Sequence, residues 1–125
     1  FIIPCYASIY SYNYEIKQKA LELKGNTDIE TINNINDWVD QNIEYNFYWY
    51  SRGLRKTWDT RKGDCTDKAI LKSRMLYYNN IKNRIVHGYA DNEKHDWIEW
   101  KLYNKWQTNE HYYFNNLTKK GLGVW

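Results

Sequence analysis

Apolar residues recur at helical spacing through the first half of the chain and at alternate positions through the second. Ile16, Ala20 and Leu23 share one face of a helix over residues 15–23, capped by Ser11 or Asn13 and closed by Gly25. The apolar stretch 1–8 ahead of it is read as irregular, because Pro4 opposes helix there. Thr27 with Glu30 three residues later makes a capping box for a second helix, whose stripe is Ile32, Ile35 and Val39, with Trp38 and Ile43 beside it. Residues 44–50 are aromatic but interrupted by polar groups, so they form an extended segment or loop leading to Ser51-Arg52-Gly53. A third helix of about 13 residues begins at or beside Cys65 and ends near Asn79-Asn80.

Beyond it the period becomes two. Residues 84–90 read as a strand, 91–94 as a turn and 95–102 as a second strand, with Asp96, Ile98, Trp100 and Leu102 on one face and His95, Trp97, Glu99 and Lys101 on the other. Tyr103-Asn104 makes a tight reversal into residues 106–108, and 112–114 is expected as another strand. Helices followed by an antiparallel sheet define an α+β fold, and 125 residues suit one domain spanning 1–125. The chain starts at Phe1 without a Met and is expected to be a piece of a longer protein.

Composition narrows the function. Aromatic residues make up 18% of the chain, with 13 Tyr and 7 Trp, enough to fill a core or to line a groove that holds sugars or extended peptide. Tyr48, Tyr50, Trp58 and Trp97 are the candidates for substrate contact. The net charge of +3 is spread over 18 basic and 15 acidic residues, which leaves no nucleic-acid footprint but suits an anionic surface such as a cell wall. No run approaches the roughly 20 apolar residues of a membrane span, and no signal peptide is visible.

The candidate chemistry centres on Lys62-Gly63-Asp64-Cys65. Asp64 as N-cap puts Cys65 at a helix start, where unpaired N–H groups and the positive end of the helix dipole favour a thiolate and can hold an oxyanion. Asp64 and Asp67 oppose that effect, so a cationic histidine partner is required. His95, at a strand start beside a turn, is the best placed of the three histidines, and His87 and His111 read as packed or surface groups. Glu110, 15 residues on, would be carried alongside His95 by the hairpin, whereas Asp96 points to the opposite sheet face. A Cys5–Cys65 disulfide is the bland alternative for this thiol. The absence of CxxC and HxxxH pairs argues against a structural zinc site as the use of these Cys and His residues.

The order Lys62-Gly63-Asp64-Cys65, then Arg84-Ile85-Val86-His87-Gly88-Tyr89, then His95-Asp96-Trp97-Ile98-Glu99-Trp100 and Lys105-Trp106 resembles the transglutaminase-like cysteine protease superfamily over residues 35–110. Residues 43–65 look most like its archaeal-type members, including the pseudomurein endoisopeptidases of viruses that lyse methanogens. The resemblance implies a papain-like α+β fold with the Cys-bearing helix packed on an antiparallel sheet. It makes Cys65 the nucleophile and His95 the base, with Glu110 standing where the family has aspartate. It further implies a monomeric endoisopeptidase, made in a host cytoplasm, that cleaves Ala–ε-Lys crosslinks in the extracellular pseudomurein wall. That chemistry requires no cofactor and leaves a divalent cation such as calcium open. The alternatives are a transglutaminase, which passes the acyl group to an amine, and a non-catalytic wall-binding module.

Overall fold

The computed structural model describes residues 4–48, 50–90, 93–109 and 120–124, with side chains between residues 11 and 109. Four helices precede the main sheet: α1 (Pro4–Glu22), α2 (Asp28–Asn42), α3 (Leu54–Thr60) and α4 (Cys65–Tyr78). Two short strands, β1 (Glu44–Tyr45) and β2 (Lys62–Gly63), form a parallel pair just before α4. Strands β3 (Asn83–Ala90), β4 (Glu93–Leu102), β5 (Lys105–Gln107) and β6 (Lys120–Val124) make an antiparallel sheet of order β5-β4-β3-β6. The α+β class expected from the sequence is the class observed.

Helix α1 is longer than expected, and residues 4–8 belong to it. Pro4 occupies its first position, where the missing N–H has no intrahelical partner to lose and the fixed φ suits the helix. Ser11 is therefore an interior residue whose hydroxyl bonds Glu15 one turn on, at 3.2 Å. Helix α2 starts as expected: Thr27 Oγ1 accepts from the Glu30 N–H and Glu30 Oε2 accepts from the Thr27 N–H, each at 3.2 Å. Helix α3 was not foreseen. It follows Gly53, whose φ of 88° is left-handed territory that only glycine takes without strain, and it buries Thr57 and Trp58 one residue apart.

Helix α4 is the centre of the molecule, packing against α1, α2 and α3 on one side and against β3 and β4 on the other. Leu71, Met75 and Leu76 meet Ile16, Ala20, Ile32, Ile35 and Val39 from the first two helices and Ile98 and Trp100 from β4. Trp97 and Glu99 are buried on the opposite sheet face, so the alternation expected for residues 95–102 holds. Cross-strand from them, Gly88 leaves room for the Trp97 indole, and a Cβ there would fall 2.7 Å from the ring's Cζ3. The β4–β5 reversal uses Tyr103 and Asn104 at φ 52° and 64°, the two left-handed residues of a type I′ turn. Strand β4 starts at Glu93, two residues earlier than expected, and β6 was not anticipated. The expected strand at 112–114 lies outside the described residues.

Candidate active site

Asp64 and Asp67 build the start of α4. Asp64 Oδ1 accepts from the Asp67 N–H at 2.9 Å, and Asp67 Oδ2 accepts from the Asp64 N–H at 3.2 Å, a reciprocal box that makes Cys65 the first helical residue. Asp67 does more than cap. Its Oδ1 also takes the Ser51 hydroxyl at 2.8 Å and the backbone N–H groups of Arg52 and Gly53 at 2.9 and 3.2 Å, so one carboxylate, 1% exposed, ties the 51–53 loop to the helix start. Gly63 allows this approach, since a Cβ there would sit 2.7 Å from the Asp67 Cβ. Burial is the main cause that pushes the Asp64 carboxyl above its ordinary range.

Cys65 is a half-buried free thiol, so the disulfide alternative is not realised. It opens onto a cavity of about 200 Å³ whose wall also carries Tyr45, His95, Asp96 and Trp97. The His95 ring stacks on Trp97 with centroids 6.0 Å apart and planes 15° from parallel, which braces the imidazole from one side. Tyr45 reaches the cavity because β1 pairs with β2 two residues before Cys65. Burial first, then the neighbouring Cys65, Asp64 and Glu93, push its phenol up, which keeps it a neutral donor. Asp96 is held elsewhere: one oxygen takes the Thr66 hydroxyl at 2.5 Å and the other makes a short bond to His87 Nδ1.

Of the residues singled out from the sequence, Cys65, His95 and Trp97 thus share one cavity. Glu110 lies outside the described residues. Tyr48 faces Arg52, whose Nη1 donates to the phenol oxygen at 2.6 Å and whose guanidinium sits 4.4 Å over the ring. Tyr50 is 73% exposed, away from the cavity wall. Trp58 is a core residue, 4% exposed, because its indole fills the space between the first helices and its Nε1 donates to Glu15 Oε1 at 2.9 Å. Sequence reasoning missed Tyr45, the Thr66–Asp96–His87 group and two cavity lysines, Lys68 and Lys72. The lysines were findable, since positions three and seven after Cys65 share its helix face.

The family described as the transglutaminase-like superfamily matches residues 17–110. No curated protein matches the chain. Among solved structures, a candidate cysteine protease from Cytophaga hutchinsonii is similar with a TM-score of 0.63 at 22% identity, over 75% of this chain and 35% of that one. A candidate protease from Parabacteroides distasonis gives 0.59 at 19% identity over 76% and 22%, and a TGase gives 0.66 at 11% over 86% and 35%. At these identities the likeness is one of fold, and the chain spans about a third or less of the length of each.

Proposed function

Because the chain belongs to the transglutaminase-like superfamily, we propose that it is a cysteine endoisopeptidase that hydrolyses Ala–ε-Lys crosslinks of pseudomurein, as the lytic enzyme of a virus or provirus of methanogenic archaea. One observation carries the chemistry: the free Cys65 thiol at the start of α4 and His95 line the same cavity. In this reading the Cys65 thiolate attacks the amide carbonyl and its Sγ–C bond forms. The oxyanion is held by the Cys65 backbone N–H. His95 gives its proton to the lysine amine as the C–N bond breaks, then takes one from the water that cleaves the thioester. Glu110 is assigned to orient His95. The wall peptide is the partner, and the site of action is outside the host cell.

The test is incubation of the protein with purified pseudomurein, counting new free ε-amines, beside a Cys65→Ala control. Release that depends on Cys65 is expected. No release from pseudomurein overturns the substrate, and no cleavage of any peptide or protein amide overturns the hydrolase. The His87–Asp96 bond favours a second assignment of the base, since a carboxylate on Nδ1 is the arrangement that frees Nε2 for a thiol. The pH profile of Cys65 alkylation separates the two: His95→Ala, and not His87→Ala, should abolish reactivity at low pH.

A further inference from the structure

Two lysines stand in the same cavity as Cys65. Lys68 and Lys72 lie three and seven residues along α4 and turn the same face to the cavity as Cys65 and Ala69. Their side chains are only 18% and 11% exposed, so little of the water shell around each side chain remains, although the Asp40 they share is 54% exposed. What replaces that water is scant. Both ammonium groups pair with one oxygen of one carboxylate, Asp40 Oδ1 on α2, at 3.3 and 3.0 Å. Among the described residues neither has another anionic partner. Two ammonium groups carry six N–H donors, and a single shared oxygen leaves most of them for something else.

The cavity's other carboxylate does not fill that role, because both oxygens of Asp96 are engaged by Thr66 and His87. The lysine pair also stands at a junction, since Asp40, Lys72 and Ile98 form part of a neighbouring cavity of about 160 Å³ that continues toward Asn36 and Thr108. A chain lying across Cys65 would therefore run past both ammonium groups.

From these contacts we infer that Lys68 and Lys72 form a subsite for a carboxylate of the substrate, next to the bond being cleaved. With a helix rise of about 1.5 Å per residue, the two lie about 5 and 10 Å along α4 from the nucleophile, the span of one to three residues of an extended peptide. The inference rests on the cysteine chemistry proposed above and adds a substrate class: peptides with a free carboxylate within a few residues of the scissile acyl group. Asp40 holds the ammonium pair in place while the subsite is empty and competes with the incoming anion.

The experiment compares the rates at which iodoacetate and iodoacetamide alkylate Cys65, read by peptide mapping so that Cys5 does not contribute. The two reagents differ in one negative charge, so a general loss of structure changes both rates and cancels in their ratio. Relative to wild type, the iodoacetate-to-iodoacetamide ratio should fall about three- to tenfold in Lys68→Met or Lys72→Met alone, as expected for losing one unit charge about 6 Å from an anion in a half-wet cavity, and further in the double variant, which loses two. In Asp40→Asn the ratio should rise, because the competing carboxylate is gone. Salt bridges that only fasten α2 to α4 change the field at Cys65 but hold no anion, so they predict no protection of Cys65 from iodoacetamide by added succinate, whereas the subsite predicts protection in wild type that is lost in the double lysine variant. A ratio within twofold of wild type in the double lysine variant, or a fall in Asp40→Asn, overturns the subsite. Matched peptides carrying Glu or Gln, or a C-terminal carboxylate or carboxamide, beside a cleavable amide then distinguish a side-chain from a terminal carboxylate by the KM each loses. Failure on pseudomurein leaves the alkylation ratio untouched, so the two readings fail separately.

Discussion

Replacing Asp67 should loosen the helix start and the 51–53 loop together. The carboxylate accepts four hydrogen bonds, from Ser51 Oγ, the Arg52 and Gly53 N–H groups and the Asp64 N–H. A bond to a charged group contributes about 1.5–3 kcal/mol, but the four are not additive, because the loop donors regain water when the loop lifts. Asp67→Ala is therefore expected to cost about 3–5 kcal/mol, the range for a buried charge network broken on one side. Asp67→Asn keeps an oxygen for the loop and turns its NH₂ toward the Asp64 N–H, so it loses one bond and sets donor against donor, costing about 1–2 kcal/mol. Urea unfolding followed by tryptophan fluorescence measures both. At an m-value of about 2 kcal/mol/M the alanine midpoint should fall by about 2 M and the asparagine midpoint by less than 1 M. An alanine cost below about 1 kcal/mol, or an asparagine variant as unstable as alanine, would refute the picture of Asp67 as the joint.

Gly88→Ala should destabilise by about 1–3 kcal/mol, because the new methyl meets the Trp97 ring, and near-ultraviolet circular dichroism should show the indole displaced. Tyr103→Asn should stabilise by about 0.5–1 kcal/mol, read as a rise in Tm, since an exposed tyrosine now occupies a left-handed turn position that asparagine tolerates. The bond from Trp58 Nε1, and then that from Ser11, hold the Glu15 carboxyl below its ordinary range. The folded form thus binds this proton less readily than the unfolded one, and Glu15's contribution is present above the ordinary glutamate range and lost as pH falls through and below it. Wild type should be more stable than Glu15→Gln at neutral pH, with the gap closing in acid. Asp64 runs the other way: its raised pKa makes the fold lose stability as pH rises through the carboxylate range, so Asp64→Asn, an equally good cap, should gain on wild type toward neutrality.

What could be read from the sequence was whatever depends on neighbours a few residues apart. The Thr27–Glu30 box, the Ile32, Ile35, Val39 stripe and the alternation of β4 are local patterns, and each took the expected form. The start of α4 at Cys65 followed from Asp64 for the same reason. Long-range pairings were hidden. Nothing near Tyr45 announces its two-residue ladder with Gly63, and nothing near Trp58 says that its indole will find Glu15, 43 positions away, in place of a groove. The His87–Asp96 contact depends on hairpin register, which one residue of slip would abolish. Pro4 misled because the rule against proline in helices does not reach the first position.

The placement of α4 also bears on how the molecule breathes. Flanked by three helices and two strands, this helix cannot unwind alone without exposing the core, so its amides should exchange with solvent only when the whole domain opens. The opposite wall is different in kind. Tyr45 is held by a ladder of two residues, and such a ladder can part and re-form on its own. Cys65 would then work against a rigid anvil on one side and a hinged cheek on the other. In the proposed reaction a bulky substrate would enter by displacing the β1 side, leaving the thiol where it stands.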